Sequence, residues 1–292
     1  MSEHTTSAGS LADAAEVFGR WWREADRILI GAGAGLSAAA GIDYTDTSDF
    51  ARVFPVLARR GFRARYQLIG YDSWTPRQHW AYWATHVNDV RFGPRPHPVY
   101  SWLRDLVASK DSFVLTSNVD AMFARNGFDP DRIFTPQGDY AAMQCRKPCK
   151  PVVWPSQPSI ELALKHLDQA SFELSIPEAV PTCPTCGGDV FLNVRLDDGF
   201  VEVPYEPQAK RLRNWLAGAL HSPLLLIEIG AGFNTPTVVR WQLETLARTV
   251  PGARFVRINR DDAAIDSLAA EHSLAIAGDA GEAIAALVTA CI

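Results

Sequence analysis

The stretch RILIGAGAGLSAAAG, residues 27–41, decides the fold. The run RILI, apolar after Arg27, predicts a buried strand, the glycines predict a tight turn, and the residues from Leu36 onward predict a helix. Glycines at this point let the backbone approach a diphosphate closely, while the helix directs its N–H groups and positive dipole end at the phosphates. Ser37 either caps this helix or donates to a phosphate. The alternative is a purely structural tight turn in an α/β domain.

The spacing of these glycines differs from the G-x-G-x-x-G fingerprint of dehydrogenases. Position 36 is leucine, and no acidic residue ends a second strand about 20 residues later. The sequence therefore disfavours an ordinary hydride-transferring dehydrogenase. A second glycine loop, GAGFNTP at 230–236, follows the apolar run PLLLIEI. Two such loops at strand ends suit a long, two-ended ligand, although the second loop alone is equally consistent with turn chemistry.

Further apolar runs predict the remaining strands. They are SFVLTSNVD at 112–120, PLLLIEIGAGF at 223–233, ARFVRIN at 253–259 and SLAIAG at 273–278. Continuous apolar strands that alternate with helical segments are typical of a parallel sheet covered on both faces. The sequence therefore predicts an α/β protein with a Rossmann-like sheet.

Two segments interrupt this alternation and predict a smaller domain. Residues 42–98 contain no clear strand and many aromatic residues, and the segment from residue 141 carries paired cysteines and many prolines. We expect a helical module at 42–98 and a zinc-binding module at 141–219. The Rossmann-type domain is then assembled from the ranges that remain, after a disordered tail at 1–10: 11–41, 99–140 and 220–292.

Composition excludes some classes of protein. Apolar residues make up 47% of the 292 residues, which is enough for a core, and the formal net charge is −5. An acidic chain argues against a nucleic-acid partner, because phosphate contacts need a basic face. The polar start lacks the apolar segment of a signal peptide, and no apolar run approaches the roughly 20 residues that span a bilayer. These features predict a cytoplasmic protein without a membrane partner.

The cysteines carry the most specific local pattern. Cys145-x3-Cys149 and Cys183-x2-Cys186 are separated by 33 residues. Two short knuckles joined by a longer loop are what a tetrahedral thiolate zinc site needs. Four protein thiolates leave no open position for water, so the predicted zinc is structural. The alternatives are two disulfides or four free thiols.

Several motifs, taken together, resemble the sirtuin family in family order. They are GAGAGLSAAAGI at 31–42, TSNVD at 116–120, QGDY at 137–140, the paired cysteines, GAGFNTP at 230–236 and RIN at 257–259. The resemblance covers nearly the whole chain after residue 25. It implies a Rossmann-type large domain, a small domain built from a zinc module and a helical module, and NAD held in the cleft between them.

The resemblance also implies roles for individual residues. Asn118 would face the nicotinamide ribose and Asp120 the nicotinamide carboxamide, and with Gln137 they would form the catalytic group. The other residues expected at the dinucleotide, from the diphosphate to the adenosine, are Gly31, Ala32, Gly33, Ser37, Gly41, Tyr44, Gly230, Ala231, Gly232, Asn234, Thr235, Asn259, Asp279 and Ala280. Asn118 has the alternative role of a turn residue after a strand.

The chain departs from most sirtuins at two motifs. Gln137 stands where the family has histidine, and GIDYTD at 41–46 replaces GIPDFR, so the arginine is missing. Both changes resemble the macrodomain-linked class M branch, which is associated with protein ADP-ribosyl transfer onto a lipoylated glycine-cleavage-H-like carrier. Asn193 and Arg195 stand where other sirtuins have their substrate-strand motif; the alternative for both is a solvated hairpin.

Gln137 changes the chemistry that the resemblance implies. Sirtuin deacylation needs a general base after nicotinamide has left, and histidine suits that role because its pKa lies near neutrality. A glutamine amide can hold a hydroxyl but cannot remove its proton. The sequence therefore predicts an NAD-dependent protein ADP-ribosyltransferase with a functional link to a macrodomain hydrolase. The alternatives are a protein lysine deacylase and a non-catalytic NAD-sensing module.

Overall fold

The computed structural model describes residues 10–94, 96–265 and 268–291. Residues 1–9 of the predicted tail lie outside the described residues. Ser10, the last residue of that predicted tail, instead caps the first helix, because its hydroxyl accepts a hydrogen bond from the Asp13 backbone N–H at 3.4 Å.

The strands fall into a large sheet, a small sheet and a short ribbon. In chain order they are β1 Arg27–Ala32, β2 Asp111–Thr116, β3 Ile133–Phe134, β4 Gly138–Cys145, β5 Trp154–Pro155, β6 Leu167–Asp168, β7 Glu173–Leu174, β8 Val190–Val194, β9 Leu224–Ile229, β10 Arg254–Asn259 and β11 Ser273–Ala277. The six-stranded sheet has the order β11-β10-β9-β1-β2-β3, and all its neighbours are parallel.

The α-helices connect and cover these strands. They are α1 Leu11–Glu24, α2 Ala34–Ala39, α3 Thr47–Val53, α4 Pro55–Arg59, α5 Pro76–Val87, α6 Pro98–Val107, α7 Met122–Arg125, α8 Gln157–Lys165, α9 Glu206–Ala219, α10 Arg240–Thr249 and α11 Ala280–Cys291. Within the described ranges, none of the helices combines the length and the apolar character that a membrane span requires.

The large sheet is buried on both faces. Ile28 and Ile30 of β1 point into a core shared with α1, α6 and α11, whereas Leu29 points into a second core shared with α9 and α10. Successive side chains of a strand point to opposite faces, so a strand buried on both sides must be apolar throughout. The predicted Rossmann-like sheet with helices on both faces is therefore confirmed.

The smaller domain packs a helical segment against a small antiparallel sheet. Residues 42–98 contain α3, α4 and α5 and no strand among their described residues. The small sheet has the order β5-β4-β8. The ring of Trp83 on α5 meets Phe191 of β8 edge to face, with centroids 5.0 Å apart. Aromatic side chains of the helical segment thus form the contact between the two parts.

The carboxyl ends of the central strands meet at one edge. Ala32 at the end of β1 is level with Thr116 of β2 and Ile229 of β9. The chain leaves β1 in the middle of the sheet, with β2 on one side and β9 on the other. Ligands of open α/β sheets bind in the crevice at such a switch point.

Candidate functional site

The two glycine loops lie against each other at this edge. The Gly33 N–H donates to the Ile229 carbonyl at 2.9 Å, and the Gly35 N–H donates to the Gly230 carbonyl at 3.0 Å. A Cβ at Gly33 would lie 2.6 Å from the Ala231 Cα, and one at Gly35 would lie 2.7 Å from the Gly230 Cα. The glycines are therefore required for contact between the two backbones, and two of their N–H groups are bonded within the protein.

A cleft of about 590 Å³ opens above the two loops, within the usual volume of small-molecule sites. Most of the predicted ligand residues line it: Ser37, Tyr44, Asn118, Asp120, Gly230, Gly232, Asn234, Thr235, Asn259, Asp279 and Ala280. Four further predicted residues are buried beneath the cleft walls: Gly31, Ala32, Gly33 and Ala231. Gly41 turns the chain after α2 with a φ of 78°.

The cleft has two ends. Asn118 follows β2 and Asn259 ends β10, and these strands are three positions apart in the sheet. At about 4.8 Å per strand the two ends are about 14 Å apart. We call them the β2 end and the β10 end. This length suits the two-ended ligand that the sequence predicts.

The β2 end contains a buried carboxylate. Asp120 is 5% exposed, and its carboxylate accepts hydrogen bonds from the Ser37 hydroxyl at 2.6 Å and from the Met122 N–H at 2.9 Å. Burial raises the pKa of Asp120, and the hydrogen bond from Ser37 offsets part of that rise. Asn118 donates to the Gly33 carbonyl at 2.9 Å, which ties this end to the first glycine loop.

Two tyrosines and a histidine lie beside that carboxylate. The Tyr44 and Tyr140 hydroxyls are 3.3 Å apart, and both residues line the cleft. Behind them His86 is fully buried against both rings. Burial raises the pKa of Tyr140 to about 12 and that of Tyr44 well above its usual value. Burial and the nearby Arg65 lower the pKa of His86 well below its usual value, so all three are neutral at pH 7.

At the β10 end, side chains tie loops together. The Asn259 amide donates to the Ala231 carbonyl at 3.0 Å, and its oxygen accepts from the Asp261 and Asp262 N–H groups, both at 3.1 Å. The resemblance to the sirtuins implies that Asn259 contacts the dinucleotide. The structure shows that its amide atoms also join the loop after β9 to the loop after β10.

Three predicted residues do not line the cleft. Gln137 is half-buried just before β4, and its carbonyl accepts from the Arg195 N–H at 3.0 Å. Arg195 is exposed and pairs with Glu202 at 2.7 Å. Asn193 is 0% exposed, and its amide bonds Gln144 at 2.6 Å and the Val201 carbonyl at 3.1 Å. Asn193 is therefore neither in a solvated hairpin nor open to a substrate.

Part of the cleft wall was not predicted from the sequence. Tyr66 and Ile69, exposed apolar residues of the helical segment, line the cleft, as do Arg260 and Asp261 after β10. The RIN motif pointed to the end of β10, so Arg260 and Asp261 could have been found by extending it. Tyr66 and Ile69 lie in a segment without a motif, and their position follows only from the packing of the smaller domain.

The four predicted zinc ligands come together. The Cys145 and Cys186 sulfurs are 3.7 Å apart, as are those of Cys149 and Cys183, and all four sulfurs lie within 4.8 Å of one another. A tetrahedral ion with Zn–S bonds of about 2.3 Å holds its sulfurs about 3.8 Å apart. A disulfide needs about 2.05 Å, so the disulfide alternative is wrong and the cluster fits a metal ion.

Comparisons with known proteins bear on this site. No model of a protein family matches the chain. Over 295 residues it is 35% identical to a probable bifunctional ADP-ribose hydrolase/ADP-ribosyltransferase of Fusarium oxysporum f. sp. cubense; the match covers 97% of this chain and 48% of that protein. The chain thus spans about half the length of the fungal relative. It is also 28% identical over 301 residues to a protein ADP-ribosyltransferase of Staphylococcus aureus, covering 100% of this chain and 89% of the relative.

Solved structures identify the fold. A Sir2 homologue in complex with 2'-O-acetyl ADP ribose superimposes with a TM-score of 0.61 at 17% identity, over 92% of this chain and 93% of that one. Another Sir2 enzyme gives a TM-score of 0.59 at 19% identity, over 96% and 97%. The chain therefore has the fold of the sirtuins.

Proposed function

We propose that this chain is an NAD-dependent protein ADP-ribosyltransferase, which releases nicotinamide and transfers ADP-ribose to a protein acceptor. The observation that carries the proposal is the composition of the cleft wall. A buried carboxylate and an asparagine lie at the β2 end, while no histidine lines the cleft along the described part of the chain. The relatives named ADP-ribosyltransferases support the same activity.

The β2 end suits cleavage of the bond between nicotinamide and ribose. In that step the bonding electron pair leaves with nicotinamide, and the ribose carbon becomes positively charged until an acceptor oxygen forms the new bond. The Asp120 carboxylate can accept a hydrogen bond from the carboxamide of the leaving nicotinamide. Its negative charge stabilises the positive charge that develops on the ribose. Asn118 is fixed by its bond to the first glycine loop and can orient the ribose.

The missing histidine favours transfer over deacylation. A general base typically contributes about 10²–10⁴-fold to the step that it assists. The titratable side chains of the wall are aspartates, tyrosines and one arginine, and the pKa values of Tyr44 and Tyr140 are raised by burial. An acceptor that supplies an ionised carboxylate needs no base.

We assign the four-cysteine cluster to a structural zinc ion. All four ligand positions would be filled by Cys145, Cys149, Cys183 and Cys186, so water has no place on the ion. Cys145 ends β4 and pairs with Val190 of β8. The ion would therefore hold the small sheet together at a site separate from the cleft.

The acceptor and a partner enzyme belong to the same proposal. We propose a lipoyl carrier protein as acceptor, on the resemblance to the class M sirtuins alone. The fungal relative's name combines a hydrolase with a transferase, and this supports a functional link between this chain and a macrodomain hydrolase that removes ADP-ribose.

The test is to incubate labelled NAD and the protein with native cell extract, followed by mass analysis of labelled proteins. We expect nicotinamide release together with a stable mass addition on a protein, both lost in Asn118→Ala. Rapid deacylation of acyl-lysine peptides with no labelled protein would instead indicate a deacylase. NAD binding without nicotinamide release in any extract would indicate a sensor.

Gln137→His provides a second test. A gain of deacylation would support the role of a missing base near the reacting ribose. Unchanged products would show that other departures of this chain from the sirtuins dominate, rather than the side chain at residue 137.

A further inference from the structure

Arg240, the first residue of α10, has no assigned role and yet is buried. It is 4% exposed. Its guanidinium donates to the Ala231 carbonyl at 3.3 Å, to the Asp262 carbonyl at 3.4 Å and to the Asp262 carboxylate at 3.1 Å. Ala231 belongs to the loop after β9 and Asp262 to the loop after β10. One side chain therefore joins the two loops that form the β10 end.

Two further contacts hold the guanidinium in place. The Phe233 ring lies 4.4 Å from the Arg240 Cζ and is itself 62% exposed, so it covers the charge from solvent. The Glu244 carboxylate lies 3.8 Å from the Arg240 Nε. Phe233 stands between Gly232 and Asn234, which both line the cleft. The position of Arg240 therefore bears directly on the shape of this wall.

Arg240 and Asn259 act on the same backbone atom. The Ala231 carbonyl accepts from both side chains, and both also bond the 261–262 segment. A planar guanidinium can reach two loops at once, whereas the single ammonium of lysine cannot reproduce that geometry. The two side chains thus form a latch between the loops, and only Asn259 of the pair lines the cleft.

We propose that Arg240 is a positioning residue for the adenosine half of NAD. This rests on the proposed function, because it takes the β10 end to be the adenosine subsite. Arg240 holds the loop after β9 against the loop after β10, so that Asn234 and Thr235 face Asn259 across this end. The chemistry takes place at the β2 end, about 14 Å away, so Arg240 controls NAD affinity and leaves the bond-breaking step unchanged.

The test compares Arg240→Met with Arg248→Met, the same substitution at an exposed position of the same helix, where the guanidinium donates to the Thr245 hydroxyl at 3.3 Å. The readouts are KM and kcat for nicotinamide release and, independently, calorimetric binding of ADP-ribose. For Arg240→Met we expect KM and the ADP-ribose Kd to rise about tenfold, the scale of one charge-assisted hydrogen bond, with kcat nearly unchanged. Arg240→Lys should fall between that variant and the wild type, and Arg248→Met should match the wild type.

Equal ADP-ribose binding by wild type and folded Arg240→Met would overturn this proposal, as would a fall of kcat as large as the fall of kcat/KM. If Arg240→Met does not fold, Asp262→Ala removes the carboxylate that accepts from Arg240, at a half-exposed position; an unchanged ADP-ribose Kd in that variant would also overturn the proposal. Failure of the wild type to bind ADP-ribose would overturn both proposals, whereas binding without nicotinamide release would overturn only the proposed function.

Discussion

Gly230→Ala tests whether contact between the two glycine loops builds the cleft. Gly230 has a φ of 59°, in the left-handed region that favours glycine. Its new Cβ would lie 2.5 Å from the Gly35 Cα and 2.7 Å from the Leu36 N. These are backbone atoms, so no side chain can rotate away. The Cβ is about 0.9 Å short of the 3.4 Å at which ordinary contact begins, and the loops must separate by about that distance.

The magnitude follows from two costs. A left-handed conformation costs about 1–2 kcal/mol for a residue with a Cβ, and overpacking typically costs about 1–3 kcal/mol. The sum of about 2–5 kcal/mol lowers Tm by roughly 10 °C in a chain of this size. A displacement of about 1 Å in a wall that positions a substrate can reduce activity about 10²-fold, so activity should fall even where the variant is fully folded.

The assay is thermal unfolding together with nicotinamide release below the melting transition. Gly232→Ala serves as the control for stability, because a Cβ there meets nothing within 4 Å although the residue lies in the same loop. Its Tm should match that of the wild type. A Gly230→Ala variant with unchanged Tm and activity, or a Gly232→Ala variant that is equally destabilised, would refute the role of loop contact.

Substitutions of Asp120, His86 and one cysteine of the four-cysteine cluster give three further predictions. Asp120→Asn should nearly abolish nicotinamide release. The variant should also gain stability relative to wild type as the pH rises above about 4, because the raised pKa of the buried carboxyl makes its ionisation costly. Urea unfolding from pH 4 to 7 measures this, and a difference in unfolding free energy that does not change with pH would contradict it. His86→Gln should lose less stability than wild type as the pH falls below about 6.5, since the buried imidazole resists protonation; parallel curves would exclude that contribution. Cys145→Ser, or a strong chelator, should release the zinc ion that we propose at the cysteine cluster and unfold the smaller domain; full zinc content in the variant would rule out this ligand set.

The parallel sheet could be predicted from sequence because its strands are buried on both faces. A run such as LLLIEI, which became β9, has no alternation that could be confused with an amphipathic helix. The antiparallel β5-β4-β8 sheet was not predicted, because its strands are short or irregular. β4 reads GDYAAMQC, contains an irregular register between Asp139 and Met143, and pairs with a strand of two residues. Such pairing depends on the cysteine cluster and on the helical segment, neither of which leaves a periodic pattern.

At the site, the residues recovered from sequence were those adjacent in the chain to a glycine loop or a strand end. Ser37 and Asp120 lie 83 residues apart and meet at 2.6 Å, and both were identified because each follows a recognisable strand. Arg240 was missed because its function depends on reaching two loops at once. No local pattern distinguishes it from Arg248, the other arginine of α10.

The glycine loops alone do not distinguish an enzyme from a protein that only binds a dinucleotide, since their first requirement is the contact of Gly33 and Gly35 with Gly230. Asp120 does. Burial raises the pKa of Asp120, so its ionised form lowers the stability of the folded protein at neutral pH. An asparagine could accept the same hydrogen bond from the Met122 N–H without this loss of stability. A carboxylate kept at the expense of stability, in the wall of a cleft, is typical of a group that serves a reaction. The structure thus favours catalysis over sensing on physical grounds that do not depend on the glycine motif.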